Sequence, residues 1–204
     1  MQITTVNELC RRHITKDVLQ RYKERTFNHI KLVQRFGILV DKKFKFKGSL
    51  ANQVGDHDSD KLRPPLLQTH ILSVEKYLSA RDKTPVVYPP AVERAIQMCT
   101  FFHVTGNRHH PEYWDSHLDF SKITINEYMP DERVNAHAMP DVSMAEMCCD
   151  WASVGKEVNP NKTLLEWAEH VFEHRFDFTS DQQRFIKDVL SFLDTVRKEE
   201  LLNE

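Results

Sequence analysis

The stretch Gly55-Asp56-His57-Asp58-Ser59-Asp60-Lys61 places a His-Asp dipeptide and a lysine in one short polar turn. It follows residues 49–54, which have the composition of a short helix. Neighbouring side chains of a regular helix point in different directions, but at a helix end they can converge on one point. A convergent imidazole and carboxylate can bind a divalent first-row metal ion. A His-Asp pair also occurs in surface turns that bind nothing, so the interpretation depends on further ligands elsewhere in the chain.

The length and composition predict an all-α fold. The chain has 204 residues, of which 40% are hydrophobic and only 5 are glycine. Long segments run without proline, which favours helices over many short strands. A chain of this length suits a single domain. We expect one domain over residues 1–204, with a core at about 15–155 and a C-terminal helical extension at 161–204.

Charge and cysteine content exclude several classes of protein. The net charge of −2 and the pI of about 6.6 give no basic excess that would indicate nucleic acid as the main partner. The four cysteines lack the C-x-x-C spacing of a zinc knuckle and suit a reducing compartment. The sequence shows neither a secretory signal nor an apolar run long enough for a membrane span. We therefore expect a soluble cytoplasmic protein without a membrane partner.

Two helices upstream and downstream of the turn carry histidines next to apolar faces. Thr15 is a suitable N-cap for a long amphipathic helix that extends to about residue 43. His29 falls on its apolar face, where a buried ring needs a backbone carbonyl, a carboxylate or a metal ion as partner. His70 lies beside the buried face of a later helix; it is a rival ligand, but a structural role is the simpler interpretation.

A second group of histidines lies within the turn at residues 105–115 and just before it. His103 sits at the end of a helix predicted from about residue 91 to 104, and His109-His110 follow in the turn. The group is either a second set of ligands or a solvated polar loop. Residues 115–140 show no sustained periodicity, and a loop of this length is uncommon unless it is functional, for example as a lid.

The C-terminal part supplies two more pairs of polar residues at i, i+4 spacing. Glu146 and Asp150 lie on one face of a helix that begins near Pro140-Asp141 and runs to about residue 154. A half-buried carboxylate such as Asp150 needs a cation, a donor or solvent. His170 and His174 share a face of a later helix, but they lack the glutamate of an H-E-x-x-H motif and are expected to be surface residues.

In order along the chain, the candidate residues resemble the pattern of the HD-domain superfamily, His…His-Asp…Asp on an all-α bundle. Lys61, three residues after Asp58, is similar to the HD-x-x-K of the HD-GYP branch, although the GYP tripeptide is absent. A closer resemblance is to small phage and bacterial HD-like proteins, and it covers roughly residues 25–155. Its motifs are His29-Ile30…Val33, the His57–Lys61 segment, His103…Asn107…His109-His110-Pro111-Glu112…Trp114, and Glu146-Met147…Asp150-Trp151. In the second motif, serine and aspartate are interchanged relative to those proteins.

This resemblance implies an HD-domain-like helical bundle with a metal centre. His29, His57, Asp58 and Asp150 would bind one divalent ion. Such nitrogen and oxygen ligands suit Mn, Fe, Co, Ni or Zn. Asp58 would bridge to a second ion held by His103 together with His109 or His110. The cofactor implied is thus one or two divalent metal ions of unknown identity.

The resemblance also implies roles for the neighbouring residues. Lys61 and Arg108 would bind a phosphate group, and Glu146 would orient a ligand histidine or act as a base. Trp114 would either stack on a nucleobase or belong to the core, and we expect the core. The implied activity is metal-dependent hydrolysis of a nucleotide or another small phosphate ester, with Lys61, Glu146 and Asp58 as catalytic residues.

Two other functions share the same ligand pattern. An HD-type di-iron oxygenase acting on a small substrate would use a similar site, and some of these enzymes take phosphonates. The alternative to an enzyme is a non-catalytic interaction protein with a structural metal centre.

Overall fold

The structure is a computed structural model, which describes residue 8 and residues 10–64, 66–118, 133–158 and 162–201. This part of the chain is a helical bundle, and the predicted all-α fold class is confirmed. Two strands of two residues each pair in parallel, with Val134 opposite Phe176. The helices are α1 (Lys16–Phe44), α2 (Ser49–Gln53), α3 (Leu67–Arg81), α4 (Pro90–Gly106), α5 (Asp141–Val158), α6 (Leu164–His174) and α7 (Ser180–Leu201), and the strands are β1 (Val134–Asn135) and β2 (Phe176–Asp177).

The long helix α1 has local signals at both ends. The Thr15 hydroxyl oxygen accepts a hydrogen bond from the Val18 N–H at 3.2 Å, so Thr15 is the N-cap, as predicted. At the other end Lys45 adopts a left-handed conformation, and its N–H donates to the carbonyl of Asp41. That conformation stops the helix and turns the chain toward α2.

The main hydrophobic core lies between α1, α5 and α7. Its central side chains are almost fully buried, and each large one stabilises the fold by roughly 1.5–3 kcal/mol relative to exposure. Helix α6 contributes to the same core, so both helices of the segment 161–204 pack directly on the helices that carry His29 and Asp150. The buried residues include Val33, Phe36, Val40, Met144, Cys148, Ala152, Leu164, Phe172, Ile186, Leu190 and Leu193.

A smaller apolar cluster joins α3 and α4 on the other side of the bundle. It contains Cys10, Leu72, Tyr88, Val92 and Ile96. All four cysteines lie in the described residues, where they are buried and form no disulfide. None of the described helices combines the length and apolarity needed to cross a membrane.

The His-Asp turn is held against α1 by several contacts. Short 3-10 helices, Val54–Asp56 and Ser59–Leu62, flank His57-Asp58. The Tyr22 hydroxyl donates to the Lys61 carbonyl at 2.5 Å. A Cβ atom added at Gly37 would lie 2.8 Å from both methyl carbons of Val54. The absence of a side chain at residue 37 therefore allows Val54 to pack directly against α1.

The irregular segment predicted at 115–140 is described only at its two ends, since residues 119–132 lie outside the described residues. The Asp115 carboxylate accepts a hydrogen bond from the Asn135 N–H at 2.9 Å, and β1 pairs with β2 beyond it. The prediction that this segment is a lid concerns mostly the undescribed part.

Candidate metal centre

Four side chains from α1, the His-Asp turn and α5 meet at one point; we call them the first cluster (His29, His57, Asp58 and Asp150). His29 Nε2 lies 3.3 Å from Asp58 Oδ2 and 3.2 Å from Asp150 Oδ1. His57 Nε2 lies 3.3 Å from His29 Nε2 and 3.5 Å from Asp58 Oδ2. Bonds of about 2.0–2.2 Å to one ion place neighbouring ligand atoms about 3–3.5 Å apart. The spacing is therefore that of ligands around a common position.

The turn brings His57 and Asp58 to the same point because the backbone breaks between its two 3-10 helices. Asp58 has φ 56° and ψ 19°, which is left-handed. Aspartate is one of the few residues other than glycine that adopts this conformation readily. The sequence indicates that the His57 and Asp58 side chains can converge at a helix end. In the structure, the left-handed backbone of Asp58 produces this convergence.

Three histidines form the second cluster, which faces the other oxygen of Asp58: His103 in the last turn of α4, and His109 and His110 in the turn that follows. Asp58 Oδ1 lies 3.3 Å from His103 Nε2 and 3.7 Å from His109 Nε2. His110 Nε2 lies 3.1 Å from His103 Nε2. The two oxygens of one carboxylate thus face two different groups of imidazoles, and the three histidines form a group that could hold a metal ion.

Behind the first cluster, buried groups fix the histidine rings. Glu146 Oε1 lies 2.8 Å from His57 Nδ1, and Gln53 donates to the other oxygen of Glu146 at 2.7 Å. The Ser153 hydroxyl lies 3.0 Å from His29 Nδ1. In both rings the Nδ1 atom is engaged, which leaves Nε2 for the cluster. This is the way that outer-shell partners orient metal-binding histidines.

A second carboxylate in the same turn, that of Asp60, orients a histidine ring of the second cluster. Asp60 Oδ2 lies 2.8 Å from His103 Nδ1 and accepts a hydrogen bond from Asn107 at 3.1 Å. Sequence reasoning missed Asp60 and Ser153 as site residues, because a serine or an extra acid in a polar segment equally fits a solvated face. Asn107 carried a usable signal, since it lies four residues after His103 on the same helix face.

The first cluster is strongly charged. Burial lowers the pKa of His29, but hydrogen bonds with Asp150 and Asp58 outweigh this effect and raise the pKa to about 9. Burial raises the pKa of Asp58, yet the Lys61 ammonium and His57 hold it well below its usual range. The pKa of Asp150 is also lowered, against the effect of burial, by its hydrogen bond with His29. The two carboxylates are therefore ionised next to cationic groups.

Two histidines of the second cluster, His109 and His110, have the opposite character. Burial and the neighbouring His57 lower the pKa of His109 to about 4. Burial and the neighbouring His109 lower the pKa of His110 well below its usual range. Neutral imidazoles have a free lone pair, which is the form that binds metal ions.

Two orphaned atoms test whether the residues fit a metal. Asp58 Oδ1 and His109 Nε2 are buried, and neither makes a hydrogen bond within the described part of the chain. An unsatisfied buried polar atom costs roughly 1–3 kcal/mol. Both atoms face the interior of the second cluster, and a cation there would satisfy both. The donor set of imidazoles and carboxylates suits a divalent first-row metal.

The remaining candidates lie at different distances from the clusters. The Lys61 ammonium donates to Asp58 Oδ2 at 2.7 Å. The Arg108 side chain is exposed and lines neither of the two cavities that adjoin the clusters. Trp114 packs against the main core and donates to the Arg108 carbonyl at 2.9 Å. His70 is buried with its ring 5.4 Å from that of His103.

One of these cavities, of about 330 Å³, opens on both clusters and is the polar cavity of the site. Its lining includes His29, Asp58, His103 and His110. Lys61 and Arg25 also line it, and Arg25 forms an ion pair with Glu157 at 2.8 Å. Sequence reasoning missed Arg25, although it precedes His29 by four residues on α1 and so shares its face.

Comparison with known proteins identifies a family. Residues 19–193 match the model of a family that is described as a family of unknown function, DUF5662. No significant match is found among curated proteins or among solved structures. The matched region contains every residue of both clusters, and the resemblance to the HD-domain superfamily rests on the motifs alone. Because the match spans most of the sequence, the chain belongs to the DUF5662 family.

Proposed function

We propose that the protein is a metal-dependent phosphohydrolase of the HD type that acts on a nucleotide or another small phosphate ester. The position of the Asp58 carboxylate supports this most strongly. Its Oδ2 lies 3.3 Å from His29 Nε2, and its Oδ1 lies 3.3 Å from His103 Nε2. Two ligand groups that share one carboxylate are typical of two-metal hydrolytic sites.

The four residues of the first cluster would hold one ion, and the second cluster together with Asp58 would hold the other. Divalent ions held there would supply a water of lowered pKa and positive charge beside the phosphate. The chain itself needs no nucleophilic side chain. Glu146 keeps the His57 ring in place, and its engagement by His57 and Gln53 favours positioning over the role of a base.

The polar cavity supports an anionic substrate. Lys61 and Arg25 are its two cationic residues with flexible side chains, and they stand beside the two clusters. Cations of this kind neutralise phosphate oxygens and fix their orientation. A cavity of about 330 Å³ accepts a phosphate group and a small part of the molecule attached to it. We place the protein in the cytoplasm, because four free buried thiols suit a reducing compartment.

The experiment begins with protein purified without chelator. Its metal content is measured by mass spectrometry, and phosphate release is then measured on a panel of nucleotides and sugar phosphates. We expect bound divalent metal, phosphate release on at least one ester, and loss of both after chelation. Activity should return when Mn, Fe, Co, Ni or Zn is added back. Protein that binds none of these ions, or that releases no phosphate with any of them, would contradict the proposal.

A further inference from the structure

A second cavity adjoins the clusters and has a different chemical character. It measures about 660 Å³, and both Asp150 of the first cluster and His110 of the second line it. His110 also lines the polar cavity, so its ring is shared by the two spaces. Each of the two cavities is therefore lined by residues of both clusters. We call the larger one the aromatic cavity.

Aromatic rings from three elements form its walls. Trp151 of α5 and Phe176 of β2 are stacked, with ring centroids 6.4 Å apart and planes 11° apart. Trp167 of α6 meets Trp151 edge to face at 86°. Trp167 is 45% exposed even though indole is among the largest apolar side chains. Trp167 lines the cavity, and an exposed indole ring at such a place can stack on a flat ring.

Two charged groups of this cavity, Arg175 and Glu166, are engaged in other contacts, whereas Lys162 is an exposed cation on its lining. Arg175 pairs with the buried Glu112 at 3.1 Å, and its guanidinium lies 4.7 Å from the centroid of the Phe176 ring. The Glu166 carboxylate accepts from the Thr163 N–H in the capping box of α6. The three aromatic rings therefore give this lining a surface that suits a planar aromatic group.

We propose that the aromatic cavity binds a planar aromatic group of the substrate, with Trp167 as the stacking residue. This inference rests on the proposed function and narrows its substrate class from small phosphate esters in general to esters that carry a flat ring. The phosphate lies at the clusters beside Lys61, and the ring extends past His110 to Trp167. A nucleoside monophosphate has this layout, with its base as the ring, whereas ribose 5-phosphate lacks the ring.

The test compares four nucleoside monophosphates (AMP, GMP, CMP and UMP) with ribose 5-phosphate, and it measures binding of the four free nucleosides by calorimetry. In the wild type we expect at least one nucleotide to have a kcat/KM on the order of 10-fold or more above that of ribose 5-phosphate, which is the size of one base–aromatic stacking contact. Trp167→Ala should abolish this preference and the nucleoside binding, with a larger loss of kcat/KM for the nucleotide than for ribose 5-phosphate. Trp167→Phe should restore most of the preference. Phe102→Ala is the matched control, because Phe102 is an exposed aromatic residue on α4 that lines neither cavity.

The two readouts separate the two proposals. Nucleoside binding that depends on Trp167 supports the aromatic cavity even if no ester is hydrolysed, in which case the phosphohydrolase proposal alone fails. Hydrolysis of ribose 5-phosphate and nucleotides at equal kcat/KM, or nucleoside binding unaffected by Trp167→Ala, overturns the aromatic cavity and leaves the hydrolase standing. If Trp167→Ala does not fold, the wild-type preference and the Trp167→Phe variant decide the question.

Discussion

His57 Nδ1 lies 2.8 Å from Oε1 of Glu146, a residue that follows it by 89 positions in the chain. This contact crosses from the His-Asp turn to α5 and turns His57 Nε2 toward the first cluster. The carboxylate thus sets the orientation of a candidate ligand without facing the cluster itself. It also gives a way to tell a positioning residue from a base.

We expect Glu146→Gln to weaken metal affinity by roughly 10–100-fold, the usual effect of removing an outer-shell partner. At saturating metal, kcat should remain close to the wild-type value. The measurement is a metal titration followed by steady-state kinetics. Full metal content with a large loss of kcat would instead identify Glu146 as the base.

Asp58→Asn keeps the size of the side chain and tolerates the left-handed backbone, but it removes the charge shared by the two clusters. Metal content should fall, and phosphate release should drop by about 100-fold or more, since a ligand matters more than its outer-shell partners. Circular dichroism and thermal unfolding show whether the helical fold persists. The control is Asp56→Asn, because Asp56 is an exposed carboxylate two residues earlier in the same turn. Equal effects of the two substitutions would remove Asp58 from the site.

Lys61→Ala separates hydrolysis from oxygenation. If the phosphate is the reacting group, charge develops beside the ammonium in the transition state, and both kcat and kcat/KM should fall. If the phosphate or phosphonate only anchors a substrate that is oxidised at carbon, KM should rise while kcat stays nearly constant. Kinetics are measured with and without oxygen, and Lys23→Ala on the exposed side of α1 is the control. Oxygen-dependent turnover with unchanged kcat would favour the oxygenase.

These residues also show how far the sequence could predict the site. Local patterns were sufficient to select the His-Asp turn, His29 on an apolar helix face, and Asp150 at i, i+4 from Glu146 as candidate residues. They could not reveal contacts between distant segments, such as the placement of Trp167 beside Asp150 in one cavity. Arg108 was a phosphate-binding candidate because it precedes His109, but adjacency in a turn does not fix the direction of a side chain. Its side chain is exposed, while Arg25 lines the polar cavity.

Stability should depend on pH through Asp41. Burial raises the pKa of this carboxyl, but hydrogen bonds from the N–H groups of Ala51, Gly48 and Leu50 outweigh burial and lower it. A lowered folded-state pKa stabilises the fold at pH values above the unfolded-state pKa of about 3.9. That stability is lost as the pH falls through the folded-state pKa.

Asp41→Ala should therefore cost about 1–2 kcal/mol of unfolding free energy at pH 7, as for the loss of a capping carboxylate. The cost should shrink as the pH drops below 4, where the wild type loses the same interaction. Urea denaturation at pH 7 and in steps down to pH 2 measures both effects. Asp188→Asn, at an exposed carboxylate of α7, should show no such trend. A difference that stays constant with pH would contradict the assignment.

Gly37→Ala tests the contact between α1 and the turn. In most helices this substitution stabilises by about 1 kcal/mol. Here the new Cβ would lie 2.8 Å from both methyl carbons of Val54, so we expect a loss of about 1–3 kcal/mol instead. Val54→Ala in the same chain should recover part of this loss. Gly55→Ala, where a Cβ would meet nothing within 4 Å, is the matched control; an equal effect at both glycines would argue against a steric cause.

The sequence separation within the first cluster has a consequence for biosynthesis. Ser153 supports His29 across 124 residues, and Asp150 lies on the same late helix. A nascent chain that has emerged from the ribosome only as far as residue 140 contains all five histidines of the two clusters, but lacks Asp150 and Glu146. Domains fold as units during synthesis. Assembly of the first cluster therefore comes late in translation, because His29 lacks Asp150, and His57 lacks Glu146, until α5 has been synthesised.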